Sequence, residues 1–259
     1  MTSPTATRQM LNKVPEITAF FWVIKILCTT IGESAADYVN VTLGVGLIAT
    51  TLITAVLLVV ALVVQFRLDR YVPSVYWTVV ALVSVVGTLI TDNLTDNLGV
   101  SLWISTGVFL VLLLLTFGVW YRTERTLSIH SIVTTRREAF YWLVVVVTFA
   151  LGTAAGDLLI DQLQTGLLAA VLIYAAAIAV VFVAYRFGLG ATLSFWIAYV
   201  LTRPLGGSLG DFLSGDRSEG GAGLGTLLTS LLFLAAIVAT VVYLSVTRVD
   251  RTERVAVRR

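Results

Sequence analysis

Four segments of the chain align without a gap: "FFWVIKILCTTIGESAAD", "VYWTVVALVSVVGTLITD", "FYWLVVVVTFALGTAAGD" and "SFWIAYVLTRPLGGSLGD". Each carries an aromatic residue, then Trp, then Gly ten residues after the Trp and Asp fifteen after it. The anchors are Trp22, Gly32 and Asp37; Trp77, Gly87 and Asp92; Trp142, Gly152 and Asp157; and Trp196, Gly206 and Asp211. Four of the six tryptophans fall in this register, so the chain is four copies of one unit, and any fold must give the copies comparable surroundings.

Composition says what the unit is. The chain is 58% hydrophobic and 12% charged, with a mean hydropathy of +0.95. That balance belongs to polytopic membrane proteins rather than soluble domains. Eight apolar spans, at 17–37, 43–66, 74–92, 98–121, 139–158, 163–185, 189–211 and 223–246, each approach the ~20 residues a helix needs to cross a bilayer. Their length, and the lack of short alternating segments, excludes strands. The predicted fold is all-α, with eight transmembrane helices arranged as four parallel two-helix repeats about a pseudo-fourfold axis. A tail at 1–13 precedes one membrane domain at 14–246, with repeats near 14–70, 71–135, 136–187 and 188–246, and a basic tail at 247–259 follows.

Basic residues set the expected orientation. Arg8, Lys13, Arg67, Arg70, Arg122, Arg125, Arg136, Arg137, Arg186, Arg248, Arg251, Arg254, Arg258 and Arg259 make fourteen of the seventeen Lys and Arg, and all fall on one side. The positive-inside rule makes that side, and both termini, cytoplasmic. Lys25 and membership in the repeat argue against the first span being a cleaved signal peptide. Cys28 and His130 are the only residues of their types, which rules out an intrachain disulfide and argues against a zinc or copper centre built from His and Cys.

The odd-numbered spans carry the polar residues. At 100° per residue, positions +3, +7, +11, +14 and +15 from the Trp share its face. In the first repeat these are Lys25, Thr29, Glu33, Ala36 and Asp37. A polar stripe on a membrane helix faces the bundle interior, and Gly at +10 with a small residue at +14 lets such helices approach closely. The odd helices are therefore expected inside and the even ones against lipid. The four Asp would converge ~22 Å along the helix from the Trp, at ~1.5 Å per residue.

The repeat, together with the "KVPEITAFFWVIK" lead-in, resembles a family of bacterial integral membrane proteins made of four tandem two-helix repeats, each with a characteristic tryptophan. The resemblance covers about residues 14–246. It implies the architecture and a multi-pass location in the inner membrane; it implies no activity.

Function is read from the stripe. Glu33, Asp37, Asp92, Asp96, Asp157, Asp161 and Asp211 supply carboxylates, with Thr30, Ser34, Asn93, Thr95, Asn97 and Thr153 as neutral oxygens nearby. Asp92/Asp96 and Asp157/Asp161 are i,i+4 pairs, which repel one another unless a proton or cation sits between them. Hard oxygen donors suit protons, alkali ions or divalent metals. The leading expectation is a transporter or channel-like protein that moves a hard cation through a carboxylate-lined centre. A second is a transporter of a small anionic or zwitterionic solute held by Lys25 and Arg203. A third is a membrane scaffold or sensor with no transport path. Structural alternatives also stand for the parts: aspartates as helix ends, tryptophans as an interfacial belt, Lys25 and Arg203 as packing ion pairs, Pro204 as a kink or a break. No phosphate loop, nucleophile motif or metalloprotease helix occurs, so the protein is not expected to be an enzyme. It is expected to use no cofactor and to bind no nucleic acid; its expected partners are the bilayer and the transported solute.

Overall fold

The computed structural model describes residues 12–250. Arg8, Arg251, Arg254, Arg258 and Arg259, used above for orientation, lie outside the described residues. Eight long helices follow in order: α1 (Ala19–Asp37), α2 (Leu47–Arg67), α3 (Pro73–Asp92), α4 (Leu102–Glu124), α5 (Thr135–Asp157), α6 (Leu167–Arg186), α7 (Ala191–Ser214) and α8 (Thr226–Thr247). No strand occurs among the described residues.

Local chemistry sets the helix ends. The side chain of Thr134 accepts a hydrogen bond from Arg137 N at 3.3 Å. This cap starts α5 in the polar "TRRE" stretch, four residues before the apolar run that the sequence suggests. Pro73 begins α3, where a missing N–H costs nothing. Gly46 and Gly166 precede α2 and α6 at φ of 83° and 79°, conformations closed to a side chain. α1, α3 and α5 each run on into a five-residue π turn, Tyr38–Thr42, Asn93–Asn97 and Leu158–Gln162. α7 lacks this turn. Its helix passes through Pro204 without a break, so the proline is at most a kink and the broken-helix reading is withdrawn.

Among the described residues, seven helices are long and apolar enough to cross a membrane, and α7 is the more polar eighth. The odd helices form a closed ring in the order α1, α3, α5, α7 and back to α1. Each even helix leans on the odd helix of the next repeat: α2 on α3, α4 on α5, α6 on α7, and α8 back on α1. Asn93 Nδ2 donates to Thr51 Oγ1 at 2.8 Å across the α2–α3 seam, and Ser230 Oγ donates to Ser34 Oγ at 3.0 Å across the α8–α1 seam. Over an 18-residue apolar window in the spans containing α1, α3 and α5, 61%, 61% and 56% of the residues are buried, against 11%, 17%, 6% and 17% in the matching windows of α2, α4, α6 and α8. The even helices present Leu, Val and Ile outward, among them Leu52, Val56, Leu114, Leu172 and Val242, to what is the lipid of a polytopic membrane protein.

The ring closes through its glycines. The +10 Gly of each repeat receives the +7 residue of the next. A Cβ on Gly32 would overlap the side chain of Ser84 and lie 2.9 Å from its carbonyl carbon. One on Gly87 would lie 2.7 Å from Phe149 Cβ, one on Gly152 2.6 Å from Arg203 Cβ, and one on Gly206 2.6 Å from Thr29 Cβ. Apolar burial adds little between helices already in lipid, so this close backbone approach supplies much of the dispersion that holds the ring.

Candidate functional site

The ring has one residue per repeat at each level of its axis, spaced one helical turn apart. Level −1 holds Phe21, Tyr76, Tyr141 and Phe195, all buried. Each packs on the Trp of the next repeat: Phe21 on Trp77 at 5.7 Å, Tyr76 on Trp142 at 5.4 Å, Tyr141 on Trp196 at 6.2 Å, and Phe195 on Trp22 at 5.7 Å. The Tyr76 and Tyr141 hydroxyls hydrogen-bond to each other. Trp77, Trp142 and Trp196 are at most 4% exposed and Trp22 is half-buried, so the tryptophans serve as joints between repeats.

Level +3 holds Lys25, Val80, Val145 and Tyr199, all buried. The Lys25 ammonium donates to Thr202 Oγ1 at 2.7 Å and to the Tyr199 carbonyl at 3.1 Å. It also lies 3.9 Å from the centre of the Tyr199 ring and 4.9 Å from that of Phe149. A carbonyl, a hydroxyl and two aromatic faces thus hold this charge.

Level +7 holds Thr29, Ser84, Phe149 and Arg203, and level +11 holds Glu33, Thr88, Thr153 and Gly207. The Arg203 side chain is fully buried and reaches outward by one level. Its Nη2 donates to Glu33 Oε2 at 2.8 Å, to Thr153 Oγ1 at 2.6 Å and to Thr88 Oγ1. Thr88 Oγ1 also donates to Glu33 Oε2 at 3.2 Å. A Cβ on Gly207 would lie 2.8 Å from Arg203 Nη1 and 3.3 Å from Glu33 Oε2. The glycine therefore leaves the fourth place of its own level to the guanidinium of the level below.

Level +15 is the ring of Asp37, Asp92, Asp157 and Asp211, all half-buried. Each of them lies within electrostatic range of Glu33, and Asp92 and Asp211 also lie within range of Arg203. The four aspartates thus converge over the Glu33–Arg203 pair. Asp96 and Asp161 lie one turn farther out, in the π turns, and are exposed; Thr95 Oγ1 donates to Asp96 Oδ1 at 3.1 Å. Among the described residues, no group of three or more His, Cys, Asp or Glu side chains is close enough to hold a metal ion. The carboxylates make a field of charge, not a chelating cage.

At the Trp end lies a second buried pair that periodicity does not reveal. Lys13 Nζ donates to Glu138 Oε2 at 2.6 Å, both side chains being 1% exposed. Gln65 Nε2 donates to the other Glu138 oxygen at 3.1 Å, and Lys13 reaches the Phe66 carbonyl at 3.2 Å. Lys13, counted by sequence among the flanking basic residues, is therefore a core residue. The irregular stretch 12–18, which precedes α1, carries it to α5, the diagonally opposite helix of the ring. Beside it, Tyr71 donates to Asp250 Oδ2 at 2.6 Å, Trp77 Nε1 donates to the Tyr71 hydroxyl at 3.1 Å, and Glu16 N donates to the Asp250 carbonyl at 3.0 Å.

A closed ring of four paired-helix repeats, with a charged axis inside a lipid-facing shell, defines an integral membrane repeat protein. The family model described as Repeat of Unknown Function (DUF347) matches four times, at residues 20–71, 75–126, 140–188 and 194–250, and the chain belongs to that family. Neither a curated protein nor a solved structure matches the chain.

Proposed function

We propose that the protein is a transporter or channel-like protein of the bacterial inner membrane, and that it admits a hard cation at the Asp end of its axis. In this reading both termini and the Trp end are cytoplasmic, in line with the Arg67, Arg70, Arg122, Arg125, Arg136, Arg137 and Arg186 positions around the Trp end. The observation that carries the reading is the charge balance along the axis. Glu33 and the four aspartates set five carboxylates at the outer end of the axis, and Arg203 is the cation that faces them. Uncompensated carboxylates inside a membrane bundle are costly, and a cation drawn into the half-buried ring removes that cost. The levels from −1 to +7 form the closed inner barrier, and the Glu33–Arg203 contact at level +11 is the floor of the site.

One observation favours a non-transporting scaffold: those inner levels are packed shut. The outer grooves, for example the 550 Å³ cleft lined by Tyr38, Thr42, Leu224 and Leu231, contain no axial residue.

Flux into proteoliposomes, measured for protons, sodium, potassium, magnesium and manganese, separates the readings. The expected result is uptake of one of these cations. Asp157→Asn should lower it about tenfold, the size of ~1.4 kcal/mol lost from binding. For a metal cation, uptake should fall as external pH falls, because the carboxylates titrate as a group and a protonated ring carries no charge. Absence of flux for every cation would leave the scaffold; undiminished flux in Asp157→Asn and Asp92→Asn would remove the aspartates from the path.

A further inference from the structure

The hydrogen bonding of Arg203 is lopsided. Three acceptors, from Glu33, Thr88 and Thr153, crowd Nη2. Nη1 and Nε have no acceptor among the described residues, although the side chain is fully buried. A buried donor without a partner costs ~1–3 kcal/mol, and more when it is charged. Nη1 lies in the place left by the missing side chain of Gly207, beside Glu33 Oε2, at the level directly beneath the aspartate ring.

What could supply the missing acceptor is constrained by charge. A free anion would enter a site already holding five carboxylates. A free cation at the aspartates answers their charge but offers Nη1 no acceptor. A molecule with an acidic and a cationic end meets both demands.

We infer that Arg203 and the aspartate ring together bind a compact zwitterion, its carboxylate accepting from Arg203 Nη1 and its ammonium lying among Asp92, Asp211 and their two counterparts. This rests on the reading of the Asp end as a site for positive charge, and names a second kind of occupant for it, a solute whose cationic head takes the place of the hard cation. The two levels are about 6 Å apart, one turn at ~1.5 Å per residue. An amino acid with roughly three or four methylenes between its charged groups covers that span at ~1.5 Å per bond. Lys25 takes no part, because its ammonium is already held by Tyr199 and Thr202.

The test is binding to the purified full chain in nanodiscs, read by calorimetry and by the unfolding midpoint. The probes are γ-aminobutyrate and 5-aminovalerate, with glycine, acetate and methylammonium as controls. The longer zwitterions should bind and raise the midpoint, while acetate and methylammonium at equal concentration should not. Asp211→Asn and Arg203→Lys should each weaken binding at least tenfold. If Arg203→Lys does not fold, Gly207→Ala decides in its place, since its methyl would be set 2.8 Å from Nη1 and should block the carboxylate. The inference is overturned if no zwitterion binds, which would leave water as the acceptor. It is equally overturned if acetate binds as well as the zwitterions, or if Asp211→Asn binds them undiminished. Cation flux without zwitterion binding would sink the inference and spare the cation reading; zwitterion binding without cation flux would do the reverse.

Discussion

At the Trp end, Phe21, Tyr76, Tyr141 and Phe195 fill the axis, each aromatic ring meets the Trp of the next repeat, and the buried Lys13–Glu138 pair has its oxygens and ammonium engaged. At the Asp end, the same four helices bring like charges together over a single Glu–Arg pair, and the ring is open enough to be half-exposed. Aromatic pairs contribute about 0.5–1.5 kcal/mol each beyond their burial, whereas crowded carboxylates oppose assembly. Cohesion is thus concentrated at one end of the axis and unspent charge at the other. A bundle that only had to hold together would gain from apolar residues at both.

Substitutions at the two ends should therefore act with opposite sign. The largest loss is expected from Lys13→Ala or Glu138→Ala, either of which strands a buried charge and should cost about 3–5 kcal/mol. Unfolding of the detergent-solubilised protein in a denaturant series measures it, and the double replacement by Leu should recover most of the loss. Recovery would place the cost in the lone charge; its failure would show that the strap itself needs these side chains.

Gly87→Leu should come next. It forces a side chain against Phe149 at the α3–α5 seam, and overpacking of this kind costs about 1–3 kcal/mol. A stability equal to the unsubstituted protein would mean that the ring does not close through these glycines.

The smallest effects belong to the Asp end. Asp157→Asn should leave stability unchanged or raise it by up to about 1 kcal/mol, and Asp96→Asn, at an exposed site, should stay within about ±0.5 kcal/mol. A clear loss on Asp157→Asn would contradict the contrast between the ends, because it would make the aspartate a structural partner.

Much of this contrast is legible in the sequence. The Trp–Gly–Asp register, the eight spans and the inward polar stripe all follow from spacing, because a helix places residues on faces by arithmetic alone. The partners of Glu33 and Gly152 do not follow. Arg203 meets both only because the ring closes in one order, and the register of one helix against the next is a tertiary fact. Gly207 falls outside the repeat's glycine register and gains its meaning only from the guanidinium beside it. Lys13 is the least legible of all: it precedes the first helix, no periodicity governs it, and a basic residue there has the appearance of a topology signal. Its burial depends on the stretch 12–18 crossing to α5. The end-of-span pairs Asp92/Asp96 and Asp157/Asp161 mark the other limit, since spacing sets their faces but not that the second member of each would be exposed.

The way each even helix leans on its neighbour's odd helix has a consequence for how such a chain can be cut and rejoined. A stacked array of repeats has two ends, and terminal repeats must be specialised to cover them. Here α8 returns to α1, so there is no end to cover, and the seam between the last repeat and the first is built like the other three. A chain opened between α4 and α5 would yield halves that each lack what the other offers: α4 without α5, and α8 without α1. Two such fragments made separately should reassemble by exchanging helices at both seams. By the same geometry, four separate copies of a two-helix hairpin could close the same circle, which makes a tetramer of hairpins a physically sufficient starting point for a chain of this kind.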